Sequence, residues 1–162
     1  EVNEIAGRSG TSISVASGHK ISGAAGSIVA PGQVIQTVST TVGTEASFTS
    51  SSFFASTTSV SITPTSSSSK ILVTAILPLQ CATSGIIHYT IYRGSTNLGN
   101  NDFGRFYDNV NRDNQATMTI LDSPSTTSAT TYAVYLRASG GGTHYSNINN
   151  AKSTIVAQEI AQ

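Results

Sequence analysis

Tryptophan is absent from this 162-residue sequence, cysteine and methionine occur once each, and only 10% of the residues are charged. About a quarter of residues are charged in an ordinary soluble domain, so solubility here rests on hydroxyls and amides. Eight basic and eight acidic residues cancel to a formal net charge of zero. Phosphate contacts need clustered Lys and Arg, and here these are scattered singly, so nucleic acid is not expected as a partner. The lone Cys81 excludes an intrachain disulfide and a cysteine-based zinc site, and its apolar neighbours point to a small buried hydrophobe. Long hydrophobic runs are missing too. The longest, residues 71–79, is interrupted by Thr74 and Pro78 and falls far short of the ~20 residues a spanning helix requires, so no membrane insertion is expected. None of the ten asparagines stands in an Asn-x-Ser/Thr acceptor sequence, which argues against a glycosylated eukaryotic surface protein. The chain opens on Glu1 with no charged-then-apolar leader, which favours a fragment of something longer.

What is present begins with a repeat. An isoleucine followed five residues later by glycine recurs every eight residues, as IAGRSGTS, ISVASGHK and ISGAAGSI. Burying one apolar side chain per unit contributes ~1.5–3 kcal/mol, which cannot offset an ordering cost of ~1–2 kcal/mol for each backbone residue. The missing surface must come from neighbouring chains. Residues 1–32 therefore read as a stalk-like segment that is ordered in an oligomer, most simply a homotrimer, with Ile5, Ile13, Ile21 and Ile28 as the contacts between chains. Proline and glycine in Ala30-Pro31-Gly32 end the repeats and place the boundary to a second domain, residues 33–162.

That second domain shows alternation without helices. Expected strands are 33–42, 59–63, 70–80, 86–93, 115–122, 131–138 and 154–160, with shorter pieces at 53–54, 103–107 and 143–148. In the stretch 131–138, Tyr132, Val134, Leu136 and Ala138 share one face, whereas Thr131, Ala133, Tyr135 and Arg137 share the other. Ser and Thr together make up 48 of the 162 residues, and their runs at 44–52, 65–69 and 123–130 read as loops between strands. The expected fold is all-β: a short N-terminal β-repeat stalk followed by a jelly-roll-like antiparallel β-sandwich.

Four strings carry a resemblance: SVSITPTSSSSKILV (59–73), IYRGSTNLG (91–99), TMTILDSPSTTSATTYAVYLRA (117–138) and the terminal STIVAQEIAQ. Together they resemble a domain common in virion proteins of marine tailed bacteriophages, usually found near the C-terminus of tail fibres. ISVASGHKISG and APGQVIQTVST are similar to the repeats and lead-in strand that often precede it. The resemblance implies a virion structural role in a homotrimer, a place on the particle surface, and contacts with other virion proteins and with a host surface glycan or protein. A related capsid decoration or head-fibre protein, anchored to the shell by its N-terminal segment, is the alternative. It supplies no catalytic residues and no cofactor.

Read independently, the residues offer little chemistry. His19, His88 and His144 show no metal-ligand spacing. Asp102, Asp108 and Asp113 lie in the oxygen-rich string NNDFGRFYDNVNRDN, whose spacing departs from a calcium loop and suits turns. No nucleophile elbow or phosphate-cradling glycine loop is present, and no enzymatic activity, cofactor or metal is expected. The same string is more informative as a recognition surface, because aromatic and Arg side chains anchor interfaces while Asn and Asp read hydroxyl groups. The candidate receptor-binding residues are Asn101, Asp102, Arg105, Tyr107, Asn109 and Asn111, with Tyr145, Asn147 and Asn149 of YSNINN.

Overall fold

A computed structural model describes residues 16–19, 28–82, 84–109 and 111–162. Its strands are β1 (Val34–Val42), β2 (Ala46–Phe48), β3 (Phe54–Ile62), β4 (Lys70–Cys81), β5 (Gly85–Arg93), β6 (Thr96–Asn97), β7 (Gly104–Asp108), β8 (Asp113–Asp122), β9 (Thr130–Ser139), β10 (His144–Ser146) and β11 (Ser153–Ile160). One 3-10 turn, Ile148–Asn150, separates the last two. One sheet contains β1, β11, β4, β10, β2 and β8, and the other contains β3, β9, β5, β6 and β7. All pairings are antiparallel. β1 with β2, β6 with β7, and β10 with β11 each form one interrupted line, which gives eight lines ordered 1-8-3-6 and 2-7-4-5. That is the double Greek key of a jelly roll.

The alternation of β4 builds the centre of the first sheet: Ile71, Val73, Ala75, Leu77, Leu79 and Cys81 are all fully buried. They meet Ile87 and Ile91 of β5 and Tyr132, Val134 and Leu136 of β9 in one core. Pro78 fits mid-strand because of where its missing N–H falls. On that edge β11 pairs with β4 as far as Ile76, and β10 takes over at Leu79. In the gap the Pro78 carbonyl accepts the Asn147 N–H, so no ladder donor is wanted there.

Glu159 of β11 is also fully buried. Burial alone would push its carboxyl up, but the Gln36 amide at 2.6 Å and the Thr65 N–H and hydroxyl, both at 2.8 Å, outweigh it and hold the pKa below the ordinary range. The carboxylate thereby fastens the serine-rich loop after β3 to the first sheet.

Three elements differ from the sequence reading. β2 lies inside the stretch 44–52 expected as a loop, because Phe48 is buried with its ring 5.3 Å from Phe54. β3 starts at Phe54 and not at residue 59, continuing through a register shift between Ala55 and Ser59. β6 folds back on β5 at a tight turn in which Gly94 takes φ 54°, a conformation glycine adopts without steric cost. The expected boundary at 30–32 coincides with a turn whose Gly32 N–H donates to the Ala161 carbonyl at 2.8 Å. Of the four isoleucines expected to hold chains together, Ile28 is exposed, whereas Ile5, Ile13 and Ile21 lie outside the described residues, as does most of the repeat.

Candidate functional site

The outer face of the five-stranded sheet departs most from an ordinary solvated surface. Strand alternation turns Ile87 and Ile91 of β5 inward and His88, Thr90 and Tyr92 outward. On β9 the outward residues are Ala133, Tyr135, Arg137 and Ser139, and on β7 they are Arg105 and Tyr107. The register places Arg105 of β7 and Arg137 of β9 opposite His88 on its two sides, and Tyr107 and Ser139 opposite Ile86. Tyr92 and Tyr135 stack with ring centroids 3.9 Å apart, Phe53 lies 6.2 Å from Tyr92, and the Arg137 guanidinium sits 5.1 Å over the Phe53 ring.

The loop between β6 and β7 is folded onto this face by Asn97. Its side-chain oxygen accepts from the Thr90 hydroxyl at 2.7 Å and the Gly99 N–H at 2.9 Å, while its amide donates to the Asn101 carbonyl at 2.8 Å. The Phe103 N–H donates to the Tyr89 carbonyl. Gly104 follows because Tyr89 packs against its backbone; a Cβ there would come within 2.6 Å of the phenol ring. This path drops Asp102 onto His88.

His88 Nδ1 lies 2.7 Å from Asp102 Oδ2, and Nε2 lies 2.9 Å from Ser139 Oγ. Arg137 Nη2 adds an ion pair to Asp102 at 3.3 Å. Burial pushes the Asp102 carboxyl up, but the hydrogen bonds and charges of His88 and Arg137 outweigh it and hold the group below the usual carboxylate range. An ionised Asp102 only accepts, so Nδ1 carries the proton and Nε2 accepts from the Ser139 hydroxyl. Ser139, His88 and Asp102 thus stand in the order of nucleophile, base and orienting carboxylate. No pocket opens beside them among the described residues, and the His88 side chain is covered. The network pins the 98–103 loop across β5 and β9.

The structure brings together one part of the expected site and separates the rest. Asn101, Asp102, Arg105 and Tyr107 lie on or beside this face, and Asn109 and Asn111 are exposed in the loop after β7, where Asn111 takes φ 58°. Tyr145 lies on the opposite side of the molecule: it pairs with Gln80 on the outer face of the other sheet. Asn147 is buried, its amide donates to the Val42 carbonyl at 3.2 Å, and its φ of 55° marks it as a turn residue and not as part of an exposed surface. Asn149 is exposed beside it, and its N–H donates to Glu45 at 2.7 Å. The three aspartates of the loop string also diverge. Asp108 turns inward and accepts the Arg112 N–H, and Asp113 accepts the Gln80 amide. No cluster of three or more His, Cys, Asp or Glu suited to a metal occurs among the described residues. The sequence reading did not single out Phe53, Tyr92, Tyr135, Arg137 or Asn97; strand register brings Tyr92, Tyr135 and Arg137 to one face, and Phe53 joins them through its ring contacts just ahead of β3.

These features define a jelly-roll sandwich with an aromatic and arginine-bearing outer face. No protein-family model matches the sequence, and neither does any curated protein. Among solved structures, the chain is similar to the infectious bursal disease virus Gx strain, at 15% identity and TM-score 0.45 over 87% of this chain and 42% of that one. It is also similar to the infectious bursal disease virus VP2 subviral particle, at 14% identity and TM-score 0.43 over 80% and 38%. The chain therefore spans about two fifths of the length of these neighbours.

Proposed function

We propose that this chain is a structural component of a bacteriophage virion, part of a tail fibre whose sandwich binds a host-cell surface glycan as a homotrimer. The observation that carries the binding half of this reading is the outer face just described: Phe53, Tyr92 and Tyr135 in ring contact, Tyr107 60% exposed, and two arginines on one sheet surface. Aromatic and Arg side chains deliver large contact area at low entropic cost, which is why recognition surfaces use them. The virion half rests on the sequence strings and is compatible with a fold that also serves in capsid proteins and lectins. Many weak contacts repeated on three chains would add by avidity. The role is non-enzymatic and needs no cofactor; the Ser139–His88–Asp102 network serves to hold the loop that shapes the surface.

A glycan array probed with the whole chain tests the reading. The expected result is binding that falls about tenfold in Tyr107→Ala, the magnitude of an interface anchor, and is unchanged in Tyr145→Ala on the other sheet. Binding that fails only in Tyr145→Ala would place the surface on the wrong sheet.

A further inference from the structure

We infer that the ligand of this face is a polysaccharide bearing carboxylates, held by Arg105 on β7 and Arg137 on β9, which flank the covered His88 of β5 in one cross-strand row. The inference rests on the binding surface proposed above and adds the chemistry of what it takes. Because Arg105 and Arg137 both stand opposite His88, the two guanidinium groups spring from positions two strand spacings apart, about 10 Å. They lie on the same side of the sheet, since each pairs with the same outward residue.

The charge balance along the row is uneven. Asp102 is the carboxylate that reaches it, and this group is already engaged by both His88 and Arg137. Arg105 is exposed and has no hydrogen bond or ion pair among the described residues. The remaining acids that might neutralise it are committed elsewhere: Asp108 faces inward onto the Arg112 N–H, Asp122 holds Arg93, and Asp113 meets Gln80 on the other sheet. In a chain with only 16 charged residues, two arginines set against the single carboxylate of Asp102 leave a local positive surplus on a neutral molecule.

Guanidinium groups match carboxylates in a planar, two-bond geometry that a hydroxyl does not reproduce. The flanks of the row suit sugar rings: exposed Tyr107 on one side and Phe53, Tyr92 and Tyr135 on the other offer flat apolar surfaces for the C–H faces of pyranoses. A nucleic acid is the weaker fit. Each phosphate contact adds only about 0.9 to the salt slope, and a zero-charge chain whose face carries the unpaired Arg105 and an Arg137 already paired with Asp102 lacks the cluster that duplex or single-strand binding draws on.

Affinity electrophoresis of the full chain through gels containing polygalacturonate, dextran, dextran sulfate or single-stranded DNA provides the test. The expected result is retardation by polygalacturonate that exceeds retardation by the other three and weakens as sodium chloride is raised. Arg105→Ala should lower the affinity about tenfold with an unchanged melting temperature, and Arg105→Lys should restore only part of it. Equal retardation by dextran, insensitive to Arg105→Ala, overturns the carboxylate assignment and leaves the glycan-binding reading standing. Retardation by dextran sulfate or DNA as strong as by polygalacturonate overturns it in favour of generic polyanion binding. Loss of all saccharide binding, on the gels and on the array alike, overturns both readings together.

Discussion

Arg93 on β5 reaches across to the end of β8, where its Nη1 lies 2.8 Å from each carboxylate oxygen of Asp122. The two residues belong to different sheets, so the ion pair crosses the sandwich. Tyr132 of β9 adds its phenol to the same carboxylate at 2.7 Å. Burial, followed by the hydrogen bond and charge of Asp122, keeps the Tyr132 hydroxyl strongly protonated, as a donor must be. Asp122 is thus the acceptor on which both sheets converge at one end of the fold.

Replacing Asp122 by Ala leaves the Tyr132 hydroxyl and the Arg93 guanidinium without their acceptor. Removing one partner from a buried, hydrogen-bonded pair costs about 3 kcal/mol, and urea unfolding of Asp122→Ala should show a loss of that order. Arg93→Ala should cost less, since Arg93 is 29% exposed and Tyr132 keeps its bond. Equal losses in the two variants would mean that the phenol contributes nothing.

His144 is fully buried, and among the described residues its ring nitrogens find no well-formed hydrogen bond, only a weak approach to the Gly141 backbone. Burial pushes its pKa below the ordinary histidine value, and the neighbouring Gly141 carbonyl only partly opposes this. The nearest titratable group across the ladder is the Cys81 thiol, which burial pushes up and keeps neutral, with Asp108 close by. The sign follows from linkage: the unfolded chain takes up a proton below about pH 6.5 that the folded chain refuses, so stability falls as pH drops, by up to ~1.4 kcal/mol per pH unit. Asp102 and Glu159, whose carboxyls are held low, weaken the fold only at more acidic pH, as their own range is crossed. Melting curves between pH 7.5 and pH 5 should therefore show a decline that His144→Phe abolishes, because a ring beside Phe48 needs no proton balance. A decline of the same size in the variant would assign it elsewhere.

The sequence made most of the sandwich legible because its strands alternate cleanly. The string 70–80 reads as a strand, and β4 covers it with one residue added. Strand number and spacing point to a two-sheet, jelly-roll-like sandwich, whereas the strand order and pairing come from the structure alone. The failures have local causes: β2 exists for one buried aromatic, and β6 depends on a glycine turn of two residues' reach. The site was half legible. Arg105 and Tyr107 stood out as an exposed-type string, whereas Arg137 and Tyr135 looked like the mixed face of an ordinary strand until the register set them beside His88 and Thr90. Asn147 misled because its turn role and a recognition role use the same side-chain chemistry.

If residues 1–32 hold three chains together, light scattering of the full chain should give three times the 16.7 kDa monomer mass, and a chain beginning at Gln33 should lose that state on dilution. Ile13→Ser and Ile21→Ser should weaken it in the same way. A truncated chain that remains as stable and trimeric as the full one would move assembly into the sandwich.

Hydroxyl-radical footprinting, with and without the polysaccharide selected on the array, tests the binding face most directly, because the protein's own aromatic residues report on two opposite surfaces. The account expects protection of Phe53, Tyr92, Tyr107 and Tyr135, with Tyr145 and Leu121 on the other sheet labelled as before. Protection of Tyr145 and Leu121, with Tyr107 still fully labelled, would contradict it.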